Sequence, residues 1–163
     1  MLFRSFYQFL SGEPFTVTLD SDQAFTGNSR THSAGGGQRP NFNPAPGCST
    51  NAINRGQPTN YIKTGCFSFP APGTLGNLGR NTLKGPDFSD FDSSLFKNIG
   101  LHSDKYSVQL RGEFFNVLNH TNFSTQTTRL FDSGGNVLTS AGVLPAPTLT
   151  TSRQIQFGAK FIF

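Results

Sequence analysis

The sequence has no apolar run near the ~20 residues that a membrane-crossing helix needs, so a bilayer could not be spanned by helices of this chain. Charge is also scarce. Asp, Glu, Lys and Arg make up 13% of the residues, fewer than disordered chains usually carry, which argues against disorder. Apolar residues reach only 34%, low for a soluble globular domain. Trp is absent and Met occurs once, so the apolar share rests on 18 Phe. Short aromatic strands joined by polar loops fit that balance, and two compact helical domains do not. The net charge of +4 comes from 13 scattered Lys and Arg with no basic stripe, which sets aside nucleic acid as a partner. His32, His102 and His120 lie far apart, and the only cysteines are Cys48 and Cys66. Asp90 and Asp92 have no identifiable acid or base partner. No nucleophile, base or metal set emerges, so the expectation is no enzyme and no cofactor. The N-terminus does not read as a convincing secretory signal, because Arg4 and Gln8 interrupt its apolar part and no small-residue cleavage site follows. An exported protein with this sequence is expected to carry its signal further upstream.

What is present is alternation with a period of two, the mark of a strand whose two faces meet different surroundings. The clearest case is 152–163. Ile155, Phe157, Ala159, Phe161 and Phe163 fall on one side, and Gln154, Gln156, Gly158 and Lys160 on the other, with Ile162 the single breach. Tyr106, Val108, Leu110, Gly112 and Phe114 alternate with Gln109, Arg111 and Glu113 in a second strand, 105–118. A third strand, 88–101, places Phe91, Ser93, Leu95 and Lys97 opposite Asp90, Asp92, Ser94 and Asn98. Two more are expected at 2–10 and 14–20, joined as a hairpin through Ser11-Gly12-Glu13-Pro14. Between them and after them the period vanishes over 21–87 and 119–151. Seven of the ten prolines lie between Pro40 and Pro86, which marks the first stretch as a long loop.

Short and long connections therefore alternate. The predicted fold is all-β, with antiparallel up-and-down strands forming the C-terminal arc, about five strands, of a transmembrane β-barrel with two long loops. Twelve residues at a rise of roughly 3.3 Å and a tilt of about 45° climb roughly 28 Å, enough for the ~25 Å apolar band of such barrels. Five strands cannot close a ring that needs at least about 8, so further strands are expected from elsewhere. In that frame Ile155, Phe157, Phe161 and Phe163 meet outer-membrane lipid and close the barrel. Gln109, Arg111, Glu113, Gln154, Gln156 and Lys160 face the wet lumen. The layout of bacterial outer-membrane barrels puts the short turns and the C-terminus in the periplasm and the long loops outside the cell.

Several segments also carry a resemblance. G-N-L-G-R-N-T-L-K-G-P (Gly76 to Pro86), F-D-S-S-L-F-K-N (Phe91 to Asn98), L-R-G-E-F-F-N-V-L-N-H-T-N-F (Leu110 to Phe123) and R-Q-I-Q-F-G-A-K-F-I-F (Arg153 to Phe163) are similar to the C-terminal barrel segment of TonB-dependent outer-membrane receptors of the Oar-like group. S-G-E-P-F-T-V (Ser11 to Val17) and Q-R-P-N (Gln38 to Asn41) match as well. The resemblance implies uptake of a ligand across the outer membrane, powered by the TonB complex. It implies as partners the remaining barrel strands, an N-terminal plug domain, and the barrel-assembly machinery that reads the last strand. It assigns no ligand-binding residue.

Cys48 and Cys66 sit in the first long loop. In an oxidising surface compartment a disulfide between them is plausible and would stabilise by roughly 3 kcal/mol. Free thiols are the alternative, and two cysteines without a nearby His make a poor zinc set. The rival reading of the whole chain is a stand-alone, soluble β-rich binding or adhesion module.

Overall fold

The computed structural model describes residues 1–27, 37–101, 106–124, 128–146 and 148–163. In chain order the described strands are β1 (Leu2–Leu10), β2 (Pro14–Phe15), β3 (Thr18–Leu19), β4 (Asn41–Phe42), β5 (Phe67–Ser68), β6 (Leu83–Lys84), β7 (Phe88–Leu101), β8 (Tyr106–Phe115), β9 (Arg129–Phe131) and β10 (Gln154–Ile162). The chain divides into two compact units.

The first unit comprises Met1–Ser11, Asp87–Asn122 and Thr148–Phe163. It holds one open antiparallel sheet in the order β1-β7-β8-β10. These are four of the five expected strands. The register runs Leu10↔Phe88 to Leu2↔Phe96, Ser93↔Phe114 to Leu101↔Tyr106, and Gln154↔Phe115 to Ile162↔Ser107. β1, β8 and β10 each have nine or ten residues. At ~3.3 Å per residue and a tilt of about 45° they rise about 21–23 Å, close to the thickness of a barrel's apolar band. The chain leaves β1 and re-enters β7 at the same end of the sheet at which it leaves β8 and re-enters β10. The turn expected at 102–104 lies outside the described residues.

The expected hairpin between 2–10 and 14–20 does not form. β1 pairs with β7, and the 14–20 segment breaks into β2 and β3, which pair elsewhere. The clean alternation of Phe15, Val17 and Leu19 is real, but it faces a separate core. All three side chains are buried in the second unit.

That unit comprises Gly12–Pro86 and Phe123–Pro147. The stretches expected as long loops, 21–87 and 119–151, supply most of it and give it a hydrophobic core. Val17, Ile62, Leu78, Leu83 and Leu130 are completely or almost completely buried there. Among the described residues, strand pairing joins β2 with β6, β4 with β5, and β3 in parallel with β9, and isolated bridges join Ile53 to Ile62 and Phe131 to Val137. Elsewhere side chains replace strand partners. Asn77 Oδ1 accepts from Phe42 N at 2.7 Å, Asn51 Oδ1 from Lys84 N at 2.9 Å, and Thr16 Oγ1 from Asn81 N at 2.7 Å. Short polar side chains satisfy the backbone of irregular segments in this way, which lets a core form without any period in the sequence. Gly76 is required by close approach, since a Cβ there would stand 1.9 Å from the carbonyl oxygen of Arg39. A disulfide joins Cys48 to Cys66. Arg129 and Asp20 form an ion pair at 2.7 Å between the two segments of the unit.

Candidate functional site

In an antiparallel ladder directly opposed side chains share a face, so the register sorts the sheet into two surfaces. One carries Phe3, Tyr7 and Phe9 of β1, Phe91, Leu95 and Ile99 of β7, and Tyr106, Val108, Leu110 and Phe114 of β8. Ile155, Phe157 and Phe161 of β10 complete it through the pairs Ile155↔Phe114, Phe157↔Gly112 and Phe161↔Val108. None of the β10 aromatic or aliphatic anchors enters a core: Ile155 is 55% exposed, Phe157 79% and Phe161 54%. Phe163 lies just past β10, its ring 6.0 Å from that of Phe161.

Aromatic contacts mark both ends of this surface. Tyr7 meets Phe91 at 6.3 Å toward the end where β7 begins, and Tyr106 stacks on Phe161 at 6.2 Å toward the other. Rings also stand at mid-strand, where Phe3 and Phe157 are level with Leu95, so aromatic side chains run along most of this surface.

The opposite surface is mainly polar over β7, β8 and β10, with Phe88, Phe96 and Ile162 as apolar exceptions. Gln156 opposes Glu113, Lys160 opposes Gln109, and Arg111 opposes Gly158. Gln154 opposes Phe115, an aromatic at the sheet end. Gln109 Nε2 donates to Asn98 Oδ1 at 3.0 Å, and Arg111 pairs with Glu113 at 3.6 Å. The Arg111 side chain lies across Gly158, where a Cβ would meet Nε at 3.0 Å. The six expected lumen-side residues therefore share one face. Asp90 and Asp92 lie on it too, with Asp92 Oδ1 accepting from Asn116 N at 2.9 Å. Over β1 this face is mixed, because Leu2, Phe6 and Leu10 share it with Arg4 and Gln8.

A second feature was not assigned roles by sequence reasoning. Asn116, Asn119 and Asn122 build a polar clasp where β8 leaves the sheet. Asn116 and Asn119 adopt positive φ, 47° and 50°, a region asparagine tolerates better than most residues. Asn116 Nδ2 donates to the carbonyls of His120 and Thr151, each at 3.0 Å, while its Oδ1 accepts from His120 N at 2.9 Å. Asn119 Oδ1 accepts from Arg153 N at 3.0 Å. Asn122 is fully buried; its Oδ1 accepts from Ser89 N at 2.8 Å and its Nδ2 donates to Ser89 O at 2.9 Å. That amide continues the β7 ladder beyond the point where β8 has turned away. The readable signal was an asparagine every third residue immediately after a strand. His120 Nδ1 reaches Asn122 Oδ1 at 2.9 Å, whereas His32 and His102 lie outside the described residues.

A family model for the outer membrane beta barrel domain matches residues 3–156. The chain belongs to that family. Searches of curated proteins and of solved structures found no match. The open four-stranded sheet is thus part of an outer-membrane beta-barrel domain. Such a protein resides in the outer membrane.

Two carboxylates of the barrel domain's second unit are set by their turns. Hydrogen bonds from the Thr26 backbone, and then from the Thr26 hydroxyl, Gly27 and Gln38, hold Asp22 below its ordinary 3.8. The Asn136 side chain and backbone, with Gly134 and Gly135, do the same for Asp132. Each closes a loop by accepting N–H groups that have no strand partner.

Proposed function

We propose that this sheet is the C-terminal arc of the barrel of a TonB-dependent receptor of the Oar-like group, closing the wall through which a ligand is taken up. The observation that carries the reading is the segregation of faces in register across β7, β8 and β10, lipid-side aromatics against a polar ladder. The motifs of Gly76 to Pro86, Leu110 to Phe123 and Arg153 to Phe163 support the receptor group over other barrels. In this reading the partners are the remaining barrel strands and a plug domain of the same receptor, the TonB complex acting through that N-terminal part, and outer-membrane lipid. The barrel-assembly machinery reads β10 and Phe163. In this reading the short-turn end and the C-terminus face the periplasm, and the long loops, 21–87 and 119–151, are extracellular. The role is transport and not catalysis.

The test is assembly in the full-length receptor. Phe163→Asp is expected to lower the yield of heat-modifiable barrel in outer membranes, as read by gel mobility with and without boiling. Wild-type yield from that variant would remove the assembly role of β10. Uptake of candidate ligands in cells with and without TonB then tests transport. Ligand entry that is independent of TonB would refute the receptor assignment while leaving the barrel intact.

The second unit, with its own core and disulfide, favours one further reading, a stand-alone binding or adhesion module. That reading expects the 163-residue chain to fold in water without detergent. The exposed lipid-side aromatics of β1, β8 and β10 expect aggregation instead.

A further inference from the structure

Among the described residues, the lipid-side face has one cation, Lys97, in its lower half. Lys97 opposes Leu110, Leu110 opposes Ala159, and Lys97's neighbours on its own strand and face are Leu95 and Ile99. Among the described residues no carboxylate forms an ion pair with it. A lysine set among aliphatic side chains on a lipid-facing wall is costly at mid-membrane and cheap only near an interface. Its depth can be worked out. Lys97 lies four residues from the last ladder pair, Leu101↔Tyr106. At ~3.3 Å per residue and a tilt of about 45°, that is about 9 Å above the sheet end. The ammonium, on its flexible stem, can reach down to the headgroup level.

Above Lys97, toward the membrane centre, the wall is grooved. Gly112 has no side chain, and Leu95, Leu110, Phe114 and Phe157 border a largely apolar depression of about 540 Å³ that reaches Lys97. Phe114 and Phe157 meet edge to face at 6.3 Å, and a Cβ on Gly112 would already touch the Phe157 ring at 3.4 Å. Gly112 lets the Phe114 and Phe157 rings lie close against the strand, and the groove runs beside them.

We propose that this groove and Lys97 form a binding site for a phospholipid of the periplasmic leaflet, with the phosphate on the Lys97 ammonium and an acyl chain lying in the groove over Gly112. The inference rests on the orientation given under the proposed function. In that orientation a periplasmic-leaflet lipid has its phosphate below and its tail above, and the structure places the cation below and the groove above. A lipid of the outer leaflet would present its phosphates at the opposite end. The bound lipid fills the depression bordered by Leu95, Leu110, Phe114 and Phe157 and neutralises the Lys97 charge.

The test uses the full-length receptor extracted from outer membranes in mild detergent, with bound lipids counted and identified by native mass spectrometry. Wild type is expected to retain one glycerophospholipid. Lys97→Gln should lower retention about tenfold, the effect of losing one charge-assisted hydrogen bond. Lys97→Arg should keep it, and Gly112→Leu, which fills the groove, should abolish it. In wild-type membranes, a phospholipid with a photoreactive acyl chain should label β8 between Leu110 and Phe114 above the level on β1. Equal retention by Lys97→Gln and Gly112→Leu, lipid A in place of phospholipid, no retained lipid, or no excess labelling of β8 would each overturn the proposal. Loss of heat-modifiability in the wild type would instead overturn the barrel reading.

Discussion

Replacing Asn122 tests whether the asparagine clasp holds the sheet end as the geometry indicates. Asn122 is fully buried, and its amide makes a two-point pairing with the backbone N–H and C=O of Ser89, plus a bond from Nδ2 to Thr150 Oγ1 at 3.0 Å. Asn122→Leu preserves size and removes every polar atom. Both Ser89 groups then lose their partner, and the leucine keeps water from replacing it. At about 1–3 kcal/mol for each of the two orphaned groups, the expected cost is about 2–6 kcal/mol. Asn122→Ala removes the same bonds but leaves room for a water to bridge them, so its cost should be smaller, about 1–2 kcal/mol. Leucine being worse than alanine is the signature of orphaned backbone groups; simple loss of packing predicts the reverse. The assay is urea titration of the full-length barrel folded in lipid vesicles, with protease protection of β10 as the local readout. If both variants unfold within about 0.5 kcal/mol of wild type, or alanine costs more than leucine, the clasp is not what secures β7 beyond the end of β8.

Three further outcomes are expected. Phe157→Arg, on the lipid side, should cost about 2–4 kcal/mol of membrane folding stability if that site is near mid-bilayer, while Gln156→Arg on the other face should cost little; equal effects in vesicle folding titrations would void the assignment of faces. Removing the Cys48–Cys66 bridge with paired serines opens a loop of sequence separation 18. It should lower the second unit's stability by about 3 kcal/mol, seen as faster proteolysis of 12–86 with the barrel band unchanged. Asp22 and Asp132 are both held below their ordinary values by the groups they accept from. Their contribution is therefore complete above about pH 4 and is lost as pH falls below it, so protease resistance of the second unit should decline on acidification, and less so in the Asp22→Asn, Asp132→Asn double variant.

The four long strands could be read in the sequence because a two-sided sheet imposes its period directly on the residues. Ile155, Phe157 and Phe161 against Gln154, Gln156 and Lys160 needed no partner to be sorted, and the family match places that sheet in an outer-membrane barrel. Pairing was not legible. The same alternation in Phe15, Val17 and Leu19 suits a barrel strand and a small buried core equally well, and only the position of Leu83 and Leu130 decides between them. Beyond that short run the core of the second unit leaves no period, since residues as far apart as Val17, Ile62 and Leu130 meet through turns and asparagine bonds. The clasp was hidden for a related reason. An asparagine in a loop is unremarkable until the tertiary structure puts the Ser89 backbone opposite its amide. Sequence alone determines which faces of a strand differ in polarity, because that is a property of neighbours along the chain. Which strands meet, and which irregular segments share a core, is set by contacts between distant residues, and only the folded chain supplies those.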